Sequence, residues 1–171
     1  TDNPMGAPVY AVVSEGKLVL RGSVASIDLA VQAEDLARQR LGLVAAVSSE
    51  LVIDAGATSD LALMPVYVRR VAGFEAGDAT LAEEDRELLR TVHAPLHAAP
   101  GAAIIVVAYG DHGAAPDASE AIARERGEAV RSVLVGWGLE GERIKGEIRA
   151  DPSLPQDLTG RVDLLVTGIL G

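Results

Sequence analysis

The sequence predicts an α+β protein built as two small two-layer α/β sandwiches, ββαβ in its N-terminal part and βαβαββ in its C-terminal part. Three observations carry this. Short β-branched runs alternate with longer stretches whose apolar residues keep helical spacing. A hydrophobic fraction of 49% supplies a core, and aromatics at only 3% leave Ala, Val and Leu to build it. A small polar stretch, Asp54 to Asp60, divides the chain as a linker. The expected organisation is a flexible lead-in over 1–8, a first unit over 9–56, a linker over 57–64 and a second unit over 65–171.

In the first unit, Val9 to Val13 reads as a strand, Ser14-Glu15-Gly16-Lys17 as a hairpin turn, and Leu18 to Val24 as its partner. Ser26 or Asp28 can open a helix. Its apolar positions Leu29, Ala33, Leu36, Ala37 and Leu41 share one face, and Gly42 suits its end. Val44 to Ile53 returns as a strand.

In the second unit, Pro65 to Val71 opens as a strand. Thr80 and Glu83 form a capping box for a helix reaching His93 or Leu96, which Pro95 should end or kink. Leu81, Leu88, Leu89, Val92 and Leu96 would face the sheet. Ala102 to Val107 is a buried strand. Asp117, with Glu120 three residues on, marks the next helix start. Ile122, Ala129, Val130, Val133, Leu134 and Trp137 keep helical spacing, so Trp137 is expected in the core. Arg143 to Ala150 and Arg161 to Thr167 close the unit as strands.

Charge narrows the partners. The net charge is −10, with 4 Lys/Arg against 8 Asp/Glu in residues 1–64 and 11 against 17 in the remainder. Both parts are acidic, which argues against nucleic acid or anionic lipid. No apolar run approaches the ~20 residues of a membrane-spanning helix. Without a basic-then-apolar leader at Thr1, an export signal or anchor is expected outside these residues. Zero cysteines exclude disulfides and thiolate metal sites.

The most informative stretch is Ala108-Tyr109-Gly110-Asp111 through Arg126. Asp111 follows a strand, and Arg126 lies 15 residues later, inside the next helix. Strand ends and helix starts are where an α/β layer leaves a ligand crevice. An acid and an arginine converging there can hold a zwitterion, carboxylate to ammonium and guanidinium to carboxylate. Backbone amides at the helix start around Ala118 and Ser119 can assist.

This arrangement resembles the peptidoglycan-binding domain of the OmpA family, found also in peptidoglycan-associated lipoproteins and flagellar stator proteins. The family pattern G-Y-T-D, then N-x-x-L-S-x-x-R-A, aligns with Asp111 and Arg126 at the family spacing, and Ile122 takes the leucine position. Val130 to Leu134, Trp137-Gly138-Leu139 and Arg143-Ile144 follow its next segment. Arg161 to Val166 resembles its closing R-V-E-L strand, and Phe74 with Asp78 to Leu81 its F-x-x-x-S-A-x-L entry. The likeness spans roughly residues 65 to 168. It implies non-covalent binding of diaminopimelate in peptidoglycan stem peptides through Asp111 and Arg126, with Ala118, Ser119 and Arg161 around them. Gly110 replaces the family threonine and Ser119 its asparagine. Ala123 and Gly127 replace its serine and alanine. Glu147 to Asp151 replaces a Gly-rich segment, and Thr159-Gly160 replaces Asn-Arg.

The first unit is similar to a BON domain, on the L-x-G-x-V pattern around Gly22 and the segment Gly42 to Val47. That family is associated with envelope proteins. No basic or aromatic lipid-facing patch accompanies it, so the unit reads as a packing module.

Other constellations have plainer readings. His93 and His97 stand four apart, but Pro95 intervenes and no third ligand is placed, so no metal is expected. Glu83-Glu84-Asp85 suits the first turn of a helix, where the macrodipole favours acids. No nucleophile–base set is recognisable, so neither catalysis nor a cofactor is expected. Two function classes follow: a periplasmic envelope module binding peptidoglycan, tethered from outside these residues, or a protein–protein scaffold with an eroded site. Other envelope proteins are then the second class of partner.

Overall fold

The computed structural model describes residues 7–41, 46–57, 61, 64–151 and 153–169. The lead-in over 1–6, Gly42 with most of its segment, much of the linker, and Pro152 lie outside the described residues. Eight strands form one mixed sheet: β1 (Val9–Ser14), β2 (Lys17–Val24), β3 (Ala46–Ser49), β4 (Val52–Ile53), β5 (Val66–Gly73), β6 (Ala103–Tyr109), β7 (Ile144–Arg149) and β8 (Arg161–Thr167). Their order is β3-β2-β1-β5-β8-β6-β7, with β4 also beside β2. Three helices pack on the sheet: α1 (Ile27–Arg40), α2 (Glu83–Ala98) and α3 (Pro116–Gly136).

The element orders match expectation, ββαβ then βαβαββ, and the class is α+β. The two sandwiches are not separate, however. β1 pairs with β5 in parallel, Val12 opposite Tyr67 and Val13 opposite Val68. The physical reason lies in the pattern: the paired segments, Ala11 to Val13 of β1 and Val66 to Val68 of β5, are apolar and buried, so neither can serve as a solvated edge. One apolar cluster accordingly runs from Leu18, Leu20 and Ala33 to Leu89, Val130 and Leu164.

Local chemistry explains most elements. Residues Glu15 and Gly16, at φ 52° and 75°, form the two-residue turn between β1 and β2. Ser26 caps α1 by accepting from the Leu29 amide at 3.3 Å, and Ala33 and Ala37 turn fully inward. The helix closes on Leu41, whose N–H donates to the Ala37 carbonyl. The return strand breaks at Glu50-Leu51 into β3 and β4, both parallel to β2.

Three boundaries correct the sequence reading. The Thr80 capping box does not form: α2 begins at Glu83 after Ala82. The Asp78 side chain takes the Thr80 amide at 2.9 Å and holds that segment in a turn. Pro95 sits inside α2, which continues to Ala98. Arg143 gathers the carbonyls at that end, donating to Leu96, Ala99 and Ala102 at 2.8–3.0 Å. Finally α3 starts at Pro116, with Ala115 before it and no side-chain cap, so Asp117 is a first-turn acid instead. Glu120 pairs forward with Arg124. The inward stripe of α3 is Ser119, Ala123, Arg126, Val130 and Leu134, which places a charged residue at its centre.

Candidate functional site

Asp111 and Arg126 meet where β6 gives way to α3. Arg126 Nη1 lies 2.8 Å from Asp111 Oδ1. The arginine is completely buried, whereas the aspartate side chain keeps 11% of its surface. The guanidinium donates to three main-chain carbonyls: Asp78 through Nε at 2.8 Å, Tyr109 through Nη1 at 3.2 Å and Glu75 through Nη2 at 2.9 Å. The Phe74 ring stacks 5.7 Å from its Cζ. Arg126 is thus buried with its charge matched, as an interior arginine must be.

Asp111 is held from three directions. Its Oδ2 accepts from the Gly77 amide at 2.8 Å, and its own amide donates to Ser119 Oγ at 3.1 Å. Oδ1, close to Arg126 but off the line of its N–H bonds, accepts no hydrogen bond. The loop over residues 74–78 therefore lies across the pair. It offers an N–H to the acid and two carbonyls to the base, the polarity that an ammonium and a carboxylate would offer.

Two positions that depart from the family pattern fit each other. A methyl group at Gly110 would stand 1.9 Å from Ser119 Oγ, so the serine occupies space that only glycine leaves open. Gly160, at φ 69°, brings its backbone against Phe74, and a methyl there would stand 2.1 Å from the Phe74 carbonyl oxygen. The Phe74 amide donates to the Gly160 carbonyl at 2.8 Å, pinning the start of the 74–78 loop. Thr159 Oγ1 accepts from the His112 amide, and the His112 ring meets the Leu154 carbonyl at 2.7 Å. These contacts tie the β7–β8 connection to the turn that carries Asp111.

The structure does not bring every candidate together. The Ser119 amide is used within the helix, donating to Ala115, so only the hydroxyl serves the site. Ala118 lies exposed in the uncapped first turn. Arg161 belongs to the opposite face of the sheet. There its Nη2 meets Asp163 at 2.8 Å and its Cζ lies 5.6 Å from the Tyr109 ring. Asp163, wholly buried, also takes the Tyr67 hydroxyl and the Arg70 amide. Burial foremost, then Asp163, pushes the Tyr67 phenol far above its ordinary value. Sequence reasoning missed this second cluster. Its signal was a lone acid inside an otherwise apolar strand, Val162-Asp163-Leu164.

The histidines hold no metal set: among the described residues no three ligating side chains converge. His93 stacks on His97 and meets the edge of Trp137, with ring centroids 5.6 and 5.7 Å away. Trp137 is half-buried against the core, as expected. No helix among the described residues is long and apolar enough to cross a membrane.

The βαβαββ order over the C-terminal part is that of the OmpA-like α/β sandwich. No protein-family model matches the chain, and no curated protein matches it. Among solved structures it is similar to the OmpA-like domain of FopA1 from Francisella tularensis. That match has TM-score 0.52 and 16% identity, covering 64% of this chain and 75% of that one. Two others fall lower, both at TM-score 0.47. The peptidoglycan-associated lipoprotein from Burkholderia pseudomallei is 15% identical, over 56% of this chain and 86% of that one. The cell wall anchor of the T6SS from Pseudomonas aeruginosa is 16% identical, over 61% and 80%. At these identities the likeness is one of fold.

Proposed function

We propose that this chain is a non-catalytic cell-envelope module that binds peptidoglycan non-covalently, through the diaminopimelate of the stem peptide. The observation that carries the reading is the Asp111–Arg126 pair, whose acid keeps accessible surface while its arginine is sealed. Asp111 receives the ligand's ammonium at its accessible edge, Oδ1 itself being buried against Arg126. Arg126 holds the acid ionised and in place, and it reaches a ligand carboxylate only when the carbonyls of Glu75 and Asp78 give way. Ala118, in the uncapped turn, contributes its amide to the same anionic group. Arg161 acts from behind, keeping Tyr109 and the end of β6 in position. Residues 9–56, similar to a BON domain, extend the sheet and serve as a packing module. The setting is periplasmic, with tethering supplied from outside these residues.

The fold resemblance supports this reading without carrying it; the chemistry of the pair carries it. A pull-down with purified diaminopimelate-type sacculi tests it. The wild-type chain should sediment with the sacculi, and free diaminopimelate should release it. A chain that stays in the supernatant fails the proposal and turns the search to protein partners.

A further inference from the structure

A second cleft lies where the two halves of the sheet join. β1 and β5 run parallel, and their chains leave in opposite directions. β1 turns back through Glu15-Gly16 into β2, while β5 leads through α2 to β6 on the other side. Diverging connections at the carboxyl ends of neighbouring parallel strands open a crevice. Here it is a cavity of about 190 Å³, lined by Val13, Ser14, Val68, Arg70, Leu88 and Val92 among others. Its walls are apolar and its rim is polar, the usual makeup of a small-ligand site.

The backbone around it is strained. Among the described residues, two non-glycine positions have positive φ, Glu15 at 52° and Arg70 at 51°, and both line this cavity. Glu15 is explained by its hairpin turn. Arg70 takes this conformation in a β-bulge, where glycine would do so without strain. The protein nevertheless invests in that conformation. The ladder between β5 and β8 shifts between Val68 and Ala72, and the buried Asp163 accepts the Arg70 amide at 2.7 Å. The bulge is fixed from beneath. The exposed guanidinium makes no hydrogen bond or ion pair among the described residues; it lies beside Gly73 and acts weakly on the Asp85 carboxylate. Bulges of this kind re-aim a side chain.

We infer that this cleft is a second binding site, for a small carboxylate carried on an apolar body, with Arg70 as its anion receptor. The guanidinium fork matches a carboxylate bidentately. Val13, Val68, Leu88 and Val92 take the apolar stem. Glu15 at the rim opposes a doubly charged phosphate more than a singly charged carboxylate. The volume limits the ligand to a few carbon atoms beyond its head group. The site is independent of the Asp111–Arg126 pair.

An NMR titration of the full chain with hexanoate tests it, with hexylamine and inorganic phosphate run as separate arms. Hexanoate should shift the amides of Gly16, Arg69, Arg70 and Thr91 saturably, in the millimolar range expected of so small a ligand. Arg70→Gly keeps the amide that Asp163 holds and removes the strain. Its Tm should therefore match or exceed wild type, while hexanoate binding weakens roughly tenfold or more. The inference is overturned by any of three results: no saturable shift with hexanoate, equal response to hexylamine or phosphate, or undiminished binding in Arg70→Gly.

Discussion

Two buried carboxylates organise the second unit, and they are used in opposite ways. Asp163 is sealed and saturated. It collects the Tyr67 hydroxyl, the Arg70 amide and Arg161, and it is the arginine that reaches outward, with 17% of its side chain exposed. Asp111 reverses the arrangement: its arginine is sealed and the acid reaches outward. A carboxylate with three donors is a structural part, and removing it strands its partners. A carboxylate that faces solvent in front of a sealed arginine is free to meet a cation, the role proposed for Asp111. Chemically similar pairs therefore divide into scaffold and site by which partner faces solvent.

The largest effect should come from breaking the saturated pair. Asp163→Asn removes the charge that balances Arg161, and urea unfolding should report a loss of about 3 kcal/mol. The folded fraction should still bind sacculi as well as wild type. Gly160→Ala comes next. Its methyl group meets the Phe74 carbonyl, and φ 69° suits glycine, so a loss of about 2 kcal/mol is expected. This variant also loosens the 74–78 loop, so hydrogen exchange should quicken at Gly77 while Arg70 stays protected.

A smaller effect concerns pH at the far end of α2. Burial first, then the neighbouring His97, holds the His93 imidazole below its ordinary value of 6.5. Arg90, whose Cζ lies 5.3 Å from the Trp137 ring centroid, pairs with Glu87 on the same helix. Because the folded state binds the proton less readily, His93's contribution is complete above 6.5 and is lost as pH falls below it. Urea midpoints at about pH 7 and about pH 5.5 should differ more in wild type than in His93→Gln. An equal difference in both proteins would remove His93 from the account.

Much of the fold was legible because its periodicities are clean. The β1–β2 turn, the inward face of α1 and all six elements of the second unit follow from apolar spacing and turn residues. The misses have particular causes. The α2 start was placed too early because Thr80 and Glu83 mimic a capping box, whereas Asp78 captures the Thr80 amide in a local turn. Pro95 did not end α2, since Arg143 secures the carbonyls at its close. That contact spans 47 residues and leaves no local trace in the sequence. The joining of the two units through β1 and β5 is equally non-local.

Asp111 and Arg126 were legible as a candidate pair from their strand-end and helix placement and from the family resemblance, and the structure brings them together. The depth of Arg126 was not legible. Arg126→Ala would empty that buried position. An arginine buried among three carbonyls makes that variant a folding defect as well as a binding one. The Gly110–Ser119 fit was also hidden, because neither residue alone indicates that one yields space to the other.

The measurement that tests the central claim most directly compares sacculus retention by Asp111→Asn and Asp163→Asn at equal folded fraction. Asp111→Asn keeps the shape of the acid and the Gly77 contact but leaves the buried Arg126 without its counter-charge, so it also loses stability and the comparison must be made at equal folded fraction. It should lose sacculus retention, while Asp163→Asn retains it despite its lower stability. Retention by Asp111→Asn equal to wild type would contradict the account and place the binding surface elsewhere.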